Sequence, residues 1–133
     1  MEIPTRENAA VLFLDLQDEI VKNSRTVTIE RLSRTAGALS ASKRRVLVLA
    51  GVASEIVVQR TALDALAAGY VVHIAVDACG GVDGRTEDAA WRRICAAGGV
   101  TTSAITFAAE LTGDFTTELG SATLGIVYET LGG

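Results

Sequence analysis

Apolar and polar positions along this 133-residue chain fall into two alternating patterns. Largely apolar runs at residues 9–16, 45–50 and 70–76 have the length of strands and lack a polar face. Such runs are typical of parallel strands that helices cover on both faces of a sheet. Residues 100–103 are predicted to form a short fourth strand.

The segments between these runs carry apolar residues at helical spacing, which predicts amphipathic helices. The predicted helices cover residues 28–41, 54–68, 86–97, 103–111 and 117–131, and a glycine-rich loop covers residues 77–84. Strands that alternate with helices predict an α/β fold with right-handed crossovers. We therefore expect a single domain over residues 1–133, with three α/β/α layers and a parallel sheet of about four strands.

Composition narrows the classes of partner. The net charge of −4 is unlike that of a nucleic-acid-binding surface, and no apolar run approaches the length of a membrane span. A hydrophobic fraction of 49% and a mean hydropathy of +0.34 are high for a small monomer, which favours self-association. A cytoplasmic protein without a nucleic-acid or membrane partner is therefore expected.

The residues that commonly bind metals or cofactors form no recognisable pattern. The two cysteines, Cys79 and Cys95, make neither a disulfide framework nor a metal-ligand spacing, and we expect both to pack as small apolar side chains. The single histidine, His73, lies within a predicted strand, where a hydrogen-bonded structural role is expected. Trp91 is expected to pack its helix on the sheet. No metal site and no cofactor are predicted.

The junction after residue 50 is the strongest candidate for a functional site. Gly51 ends the second apolar run, Ser54 is positioned as the N-cap of the next helix, and Glu55 falls in its first turn. The carboxyl end of a strand in an α/β sheet is where ligands usually bind. A capping role is the simplest for Ser54, and a substitute nucleophile is the alternative.

This junction, Gly51-Val-Ala-Ser-Glu-Ile-Val-Val58, resembles the signature of the isochorismatase-like cysteine hydrolases, especially their YcaC-like branch. In that family Gly-Val-x-Thr-Glu-x-Cys-Val carries the catalytic cysteine. The similarity extends to residues 8–17, with their Asp-x-Gln ending, and to residues 63–78, 90–98 and 109–115. These segments occur in the family's order over most of the chain.

The resemblance implies a mechanism in which an aspartate, a lysine and a cysteine thiolate act together. Asp15 matches the aspartate and is the one candidate catalytic residue, whereas Val57 occupies the cysteine position. Val52, Ala53 and Val57 are implied as ligand-binding positions. The family's lysine has no counterpart, because an internal deletion near residues 41–44 removes roughly 50 to 60 residues, or about two βαβ units.

Two functions remain open at this point. The first is a degenerate homologue without cysteine-based hydrolysis, which binds a small molecule or forms oligomers. The alternative is an active hydrolase of small-molecule C–N or vinyl-ether bonds, which uses Asp15 with a non-cysteine mechanism or residues from a partner chain. Asp15 itself has a structural alternative, since acids at strand ends often accept hydrogen bonds from loop amides.

Two structural expectations follow from the resemblance. The peptide bond between Val52 and Ala53 is expected to be cis, as it commonly is in the family, where it directs N–H groups into an oxyanion hole. The deletion is expected to leave the first strand at an edge of the sheet. Because residues 11–14 are all apolar, with no charge or proline to protect an open edge, we expect a homo-oligomer, a dimer or higher.

Overall fold

The computed structural model describes residues 2–14 and 43–132, and within them a four-stranded, all-parallel sheet forms the centre of the molecule. The strands follow one another across the sheet in the order β1-β2-β3-β4. Their bounds are Ala9–Leu14 for β1, Val46–Val52 for β2, Val71–Gly80 for β3 and Val100–Thr102 for β4. The predicted α/β class is confirmed.

Helices follow β2, β3 and β4. A five-residue π-helical turn, Ser54–Val58, which we call the π-turn, leads directly into α1. The α-helices are α1 at Gln59–Ala67, α2 at Gly84–Ala96, α3 at Ala104–Thr112 and α4 at Glu118–Gly132. α1 contacts α2, whereas α3 contacts β3 and α4, so the helices form two separate pairs. The predicted first helix, residues 28–41, lies outside the described residues.

The core is centred on β2 and β3, as their continuous apolar sequence predicts. Six residues of β2 and four of β3 are buried. Complete burial of one such aliphatic side chain stabilises the fold by about 1.5–3 kcal/mol. The buried cluster consists of Leu14, Leu47, Leu49, Val58, Ala62, Val72, Ile74 and Ile94, and Trp91 packs against it as expected.

β1 lies at an edge of the described sheet, where it pairs with β2 alone. Its side chains alternate: Ala10 and Leu12 pack on the core, whereas Val11 and Phe13 are 43% and 67% exposed. The predicted edge position is therefore confirmed within the described residues.

The extent of β3 and the packing of one cysteine differ from the sequence expectations. β3 continues past residue 76 to Gly80, because a register shift after Leu49 lets Cys79 and Gly80 pair with Gly51 and Val52. The predicted loop at residues 77–84 is correspondingly shorter. Cys95 is exposed rather than packed.

His73 is buried, and its Nε2 lies 3.0 Å from the carbonyl oxygen of Glu2, as its expected structural role requires. Within residues 2–14 and 43–132, no helix combines the length and the apolar character that crossing a bilayer requires.

Candidate functional site

The junction between β2 and the π-turn brings two strands unusually close together. Gly51 has a φ of +140°, and a Cβ at this position would overlap the carbonyl oxygen of Leu14 on β1. Only glycine fits both the backbone angle and this close approach. The next residue after Leu14 is Asp15, the candidate catalytic acid, which lies outside the described residues.

Two of the predicted ligand-binding residues, Val52 and Ala53, come immediately after Gly51 in the chain. The peptide bond between Val52 and Ala53 is cis, which confirms that expectation, and both residues are half-buried. The π-turn then begins, and the N–H groups of Ile56 and Val58 both donate to the carbonyl oxygen of Ala53 at 3.2 Å. Single π-helical turns occur frequently at functional sites.

Val57 is the third predicted ligand-binding position. It lies within the π-turn, is half-buried and packs against the hydrophobic core. Its aliphatic side chain offers neither a nucleophile nor a hydrogen-bonding group.

Ser54 does not cap the helix, so that expectation was wrong. The N-cap position is Ala53, and no side chain caps the turn. Ser54 is instead fully buried, and its hydroxyl donates a hydrogen bond of 2.7 Å to Oε2 of Glu87 on α2. The π-turn displaces the hydroxyl from the capping position and directs it towards the neighbouring helix.

Glu55 makes a second connection between the π-turn and the start of α2. Its Oε2 accepts hydrogen bonds from the N–H of Val82 at 2.6 Å and from the hydroxyl of Thr86 at 2.5 Å. Its Oε1 is buried without a hydrogen-bond partner in the described part of the chain. Burial raises the pKa of the Glu55 carboxyl, but the hydrogen bonds from Thr86 and Val82 outweigh this, so the pKa lies below its ordinary value.

The first turn of α2 is itself firmly capped. Asp83 Oδ1 accepts the N–H groups of Arg85 and Thr86 at 2.8 and 3.0 Å, and the Thr86 hydroxyl accepts the N–H of Asp83 at 3.3 Å. These N–H donors, Thr86 first, lower the pKa of the Asp83 carboxyl. The capping box holds Thr86 where it can also donate to Glu55.

Cys79 lies beside the junction, because it pairs with Gly51 across the two central strands. Its thiol is half-buried and donates to the carbonyl oxygen of Ala75 at 3.2 Å. Burial raises the pKa of the Cys79 thiol, and the charges of Glu87 and Asp77 raise it further, although the backbone at Gly51 lowers it. A thiol in this environment stays protonated near neutral pH.

A groove of about 480 Å³ opens on the outer side of the π-turn. Ile56, Arg60 and Asp64 line it from the π-turn and α1, and Arg93 lines it from α2. It contains none of the predicted ligand-binding residues. Within the described ranges, no three histidine, cysteine or acidic side chains come together as a metal site would require.

Sequence reasoning missed the contacts between the π-turn and α2. The motif contains Ser54 and Glu55, but no local pattern in the sequence connects Ser54 to Glu87 or Glu55 to Thr86. The spacing between Ser54 and Glu87, 33 residues, carries no local periodic signal. The Asp83-x-x-Thr86 capping pattern was the one readable sign that this helix start is well defined.

Comparisons with known proteins support the same fold. The family model of the isochorismatase domain matches residues 16–106, more than half of the chain. No match was found among curated proteins.

Three solved structures share the fold. YcaC from Pseudomonas aeruginosa, solved with hexane-2,5-diol and covalent acrylamide, is 22% identical with a TM-score of 0.75, and the match covers 98% of this chain and 95% of that chain. The YcaC gene product from Escherichia coli is described as an octameric hydrolase of unknown specificity. It is 20% identical with a TM-score of 0.73, and the match covers 95% of this chain and 89% of that chain. The MAR1 ribonuclease from Caenorhabditis elegans is 22% identical with a TM-score of 0.65, and the match covers 71% of this chain and 48% of that chain.

The family match extends over residues 16–106, which include the turn after β2 and three of the four strands of the parallel sheet. The chain therefore belongs to the isochorismatase family and has its hydrolase fold.

Proposed function

We propose that this chain is a catalytically degenerate member of the family, which lacks cysteine-based hydrolysis and binds a small molecule at the turn after β2. The main support for the proposal is that residue 57 is a valine and that its side chain packs on the core. An aliphatic side chain stands where the family resemblance implies the nucleophile, and it packs against the core. Valine has no lone pair with which to attack a carbonyl carbon.

The neighbouring hydroxyl and thiol do not supply a replacement. The Ser54 hydroxyl is fully buried and donates to Glu87, so a substrate carbon has no access to it. The Cys79 thiol has a raised pKa and donates to a backbone carbonyl. Both groups support the loss of covalent catalysis, since neither is an exposed and activated nucleophile.

The test of this loss is an assay of substrate disappearance by NMR with nicotinamide, an N-carbamoyl amine and isochorismate. We expect no turnover above the protein-free rate, before or after the thiols are blocked with iodoacetamide. Turnover that iodoacetamide abolishes would contradict the proposal. Turnover that survives blocking would instead support the alternative hydrolase based on Asp15 and a non-cysteine mechanism.

Ligand binding would involve the half-buried positions Val52, Ala53 and Val57 at the carboxyl end of β2. Nicotinamide is a suitable probe, because its planar amide resembles the substrates of amide-cleaving family members. We expect its titration to shift the methyl NMR resonances of Val52 and Val57 and to leave those of Val46, at the far end of β2, unchanged. Equal shifts at all three valines would indicate non-specific binding.

Self-association is the second part of the proposal. Phe13 and Val11 are exposed on the edge strand, and α4 exposes Ile126, Tyr128 and Leu131. The Escherichia coli relative is described as octameric. We expect sedimentation velocity at micromolar concentration to show a dimer or a higher oligomer, and a monodisperse monomer would contradict this part.

A further inference from the structure

We infer that the groove between the π-turn and α2 is a contact surface for a second copy of this chain. The inference rests on the self-association part of the proposed function and adds to it the surface and the chemistry of the contact. The groove has a volume of about 480 Å³ and is formed by the outer face of the π-turn and α1 together with the last turn of α2.

The charges that line the groove are balanced. Two acids, Glu55 and Asp64, and two arginines, Arg60 and Arg93, border it. A polyanion would require an excess of positive charge, which the groove does not have. In a two-fold contact the same patch meets itself, so a face that carries both signs can place its arginines opposite the acids of its own copy.

Apart from Glu55, whose Oε2 accepts hydrogen bonds from Thr86 and Val82, these charges have no strong partner within one copy. Arg60 and Asp64 form an ion pair at 3.2 Å, four residues apart on α1, with both side chains largely exposed. Exposed pairs of this kind contribute little to stability, so rearranging them costs little. Arg93 forms no ion pair with any residue in the described part of the chain. The arginines are therefore available to acids of a second copy.

The groove also has apolar lining residues. Ile56 is 54% exposed although it lies in the π-turn, and Leu63 lines the groove beside it. Val82, whose N–H donates to Glu55, is 76% exposed close by. Exposed apolar side chains next to charged ones are typical of a protein–protein interface.

A second copy bound in this groove would also contact the π-turn that carries Val57, one of the proposed ligand-binding residues. Ile56 and Val57 are consecutive residues of the π-turn, one exposed and one packed on the core. Contact at Ile56 would therefore restrict the turn that carries the proposed ligand-binding position. Dimer formation and ligand binding would become coupled through this one turn.

The test is a charge-reversal experiment on the full chain. Arg60→Glu with Arg93→Glu makes the face acidic, and Asp64→Arg makes it predominantly basic, while Glu55 is left intact because it holds the turn. We expect each variant alone to self-associate at least tenfold more weakly than the wild type in sedimentation equilibrium. Mixing the two variants should restore association, because opposite faces then meet.

Arg92→Glu is the matched control. Arg92 lies next to Arg93 on α2 and forms an exposed ion pair with Asp88 at 2.8 Å, outside the groove. The control should associate like the wild type. Ile56→Gln, a change of an exposed side chain, provides a second variant that should also weaken association, and thermal melts will verify that every variant is folded.

Groove variants that associate like the wild type and the control would overturn the inference and leave the proposed self-association intact. A monomeric wild type would contradict both. In that case, stabilisation of the wild type by inorganic phosphate, lost in the double arginine variant, would assign the groove to a small anion instead of a second copy.

Discussion

The two sides of the π-turn are held by different interactions. On the side that faces α2, Ser54 and Glu55 make hydrogen bonds to Glu87, Thr86 and the Val82 backbone. On the side that faces the sheet, the neighbouring valines pack on apolar side chains. The polar side needs no nucleophile to keep its geometry. The proposed loss of the nucleophile is therefore compatible with an intact turn.

Replacing Gly51 should destabilise the junction before the π-turn, and we expect it to have the largest effect of the variants proposed here. A methyl group at this position would overlap the Leu14 carbonyl, and the backbone at φ +140° disfavours any side chain. We expect Gly51→Ala to lower the free energy of unfolding by about 3 kcal/mol or more. Urea denaturation followed by circular dichroism measures the change.

Gly69→Ala is the control for the cost of placing a side chain at a positive φ without any steric overlap. Gly69 also has a positive φ, +92°, but a Cβ there would meet nothing within 4 Å. We expect a loss of about 1–2 kcal/mol for this variant. Equal losses for the two variants would show that the close approach of β1 to β2 does not contribute.

Removing the Ser54 hydroxyl should weaken the polar side of the turn selectively. Ser54→Ala leaves Oε2 of Glu87 without its donor, and hydrogen bonds to charged groups are worth about 1.5–3 kcal/mol. We expect a loss of about 2 kcal/mol in chemical denaturation. Ser54→Thr, which keeps the hydroxyl, should retain more stability than the alanine variant, and the opposite order would contradict the assignment.

Acid should weaken the same side of the turn through Glu55. Its folded-state pKa lies below the ordinary value of 4.5, so its contribution to stability is present above that pH and is lost as the pH falls through the lowered pKa. Glu55→Gln should therefore show a smaller loss of stability between pH 6 and pH 3 than the wild type does. Asp114 also has a lowered pKa but is common to both proteins, whereas Asp83 shares Thr86 with Glu55, so the difference reports on Glu55 together with its Thr86–Asp83 partners. Identical pH dependence would rule out this role.

The sequence predicts the strands well because their apolar runs are continuous. β2 and the central part of β3 occupy the predicted positions, since burial on both faces leaves no other environment for such runs. The extension of β3 to Gly80 was not predictable, because it depends on pairing with Gly51 and Val52 after a register shift. Periodicity within one segment contains no information about that pairing.

The site was less predictable than the fold. The capping role expected for Ser54 follows from local propensity, but the π-turn places its hydroxyl against a carboxylate from a distant helix. The cis bond between Val52 and Ala53 was expected from the family resemblance and not from the residues themselves. Asp15, on which the alternative function depends, lies outside the described residues.

The central claim is that the turn survives without the groups that would activate a nucleophile. Its most direct test introduces Val57→Cys and measures alkylation by acrylamide, residue by residue, with peptide mass spectrometry across pH 6 to 9. An unassisted thiol has a pKa of about 8.5. We predict that the new thiol reacts no faster than the exposed Cys95, with a rate that rises steadily with pH, and that half-buried Cys79 reacts slowest. A rate at position 57 that is at least tenfold higher and already constant below pH 7 would show that the site still activates a cysteine, and would contradict the account.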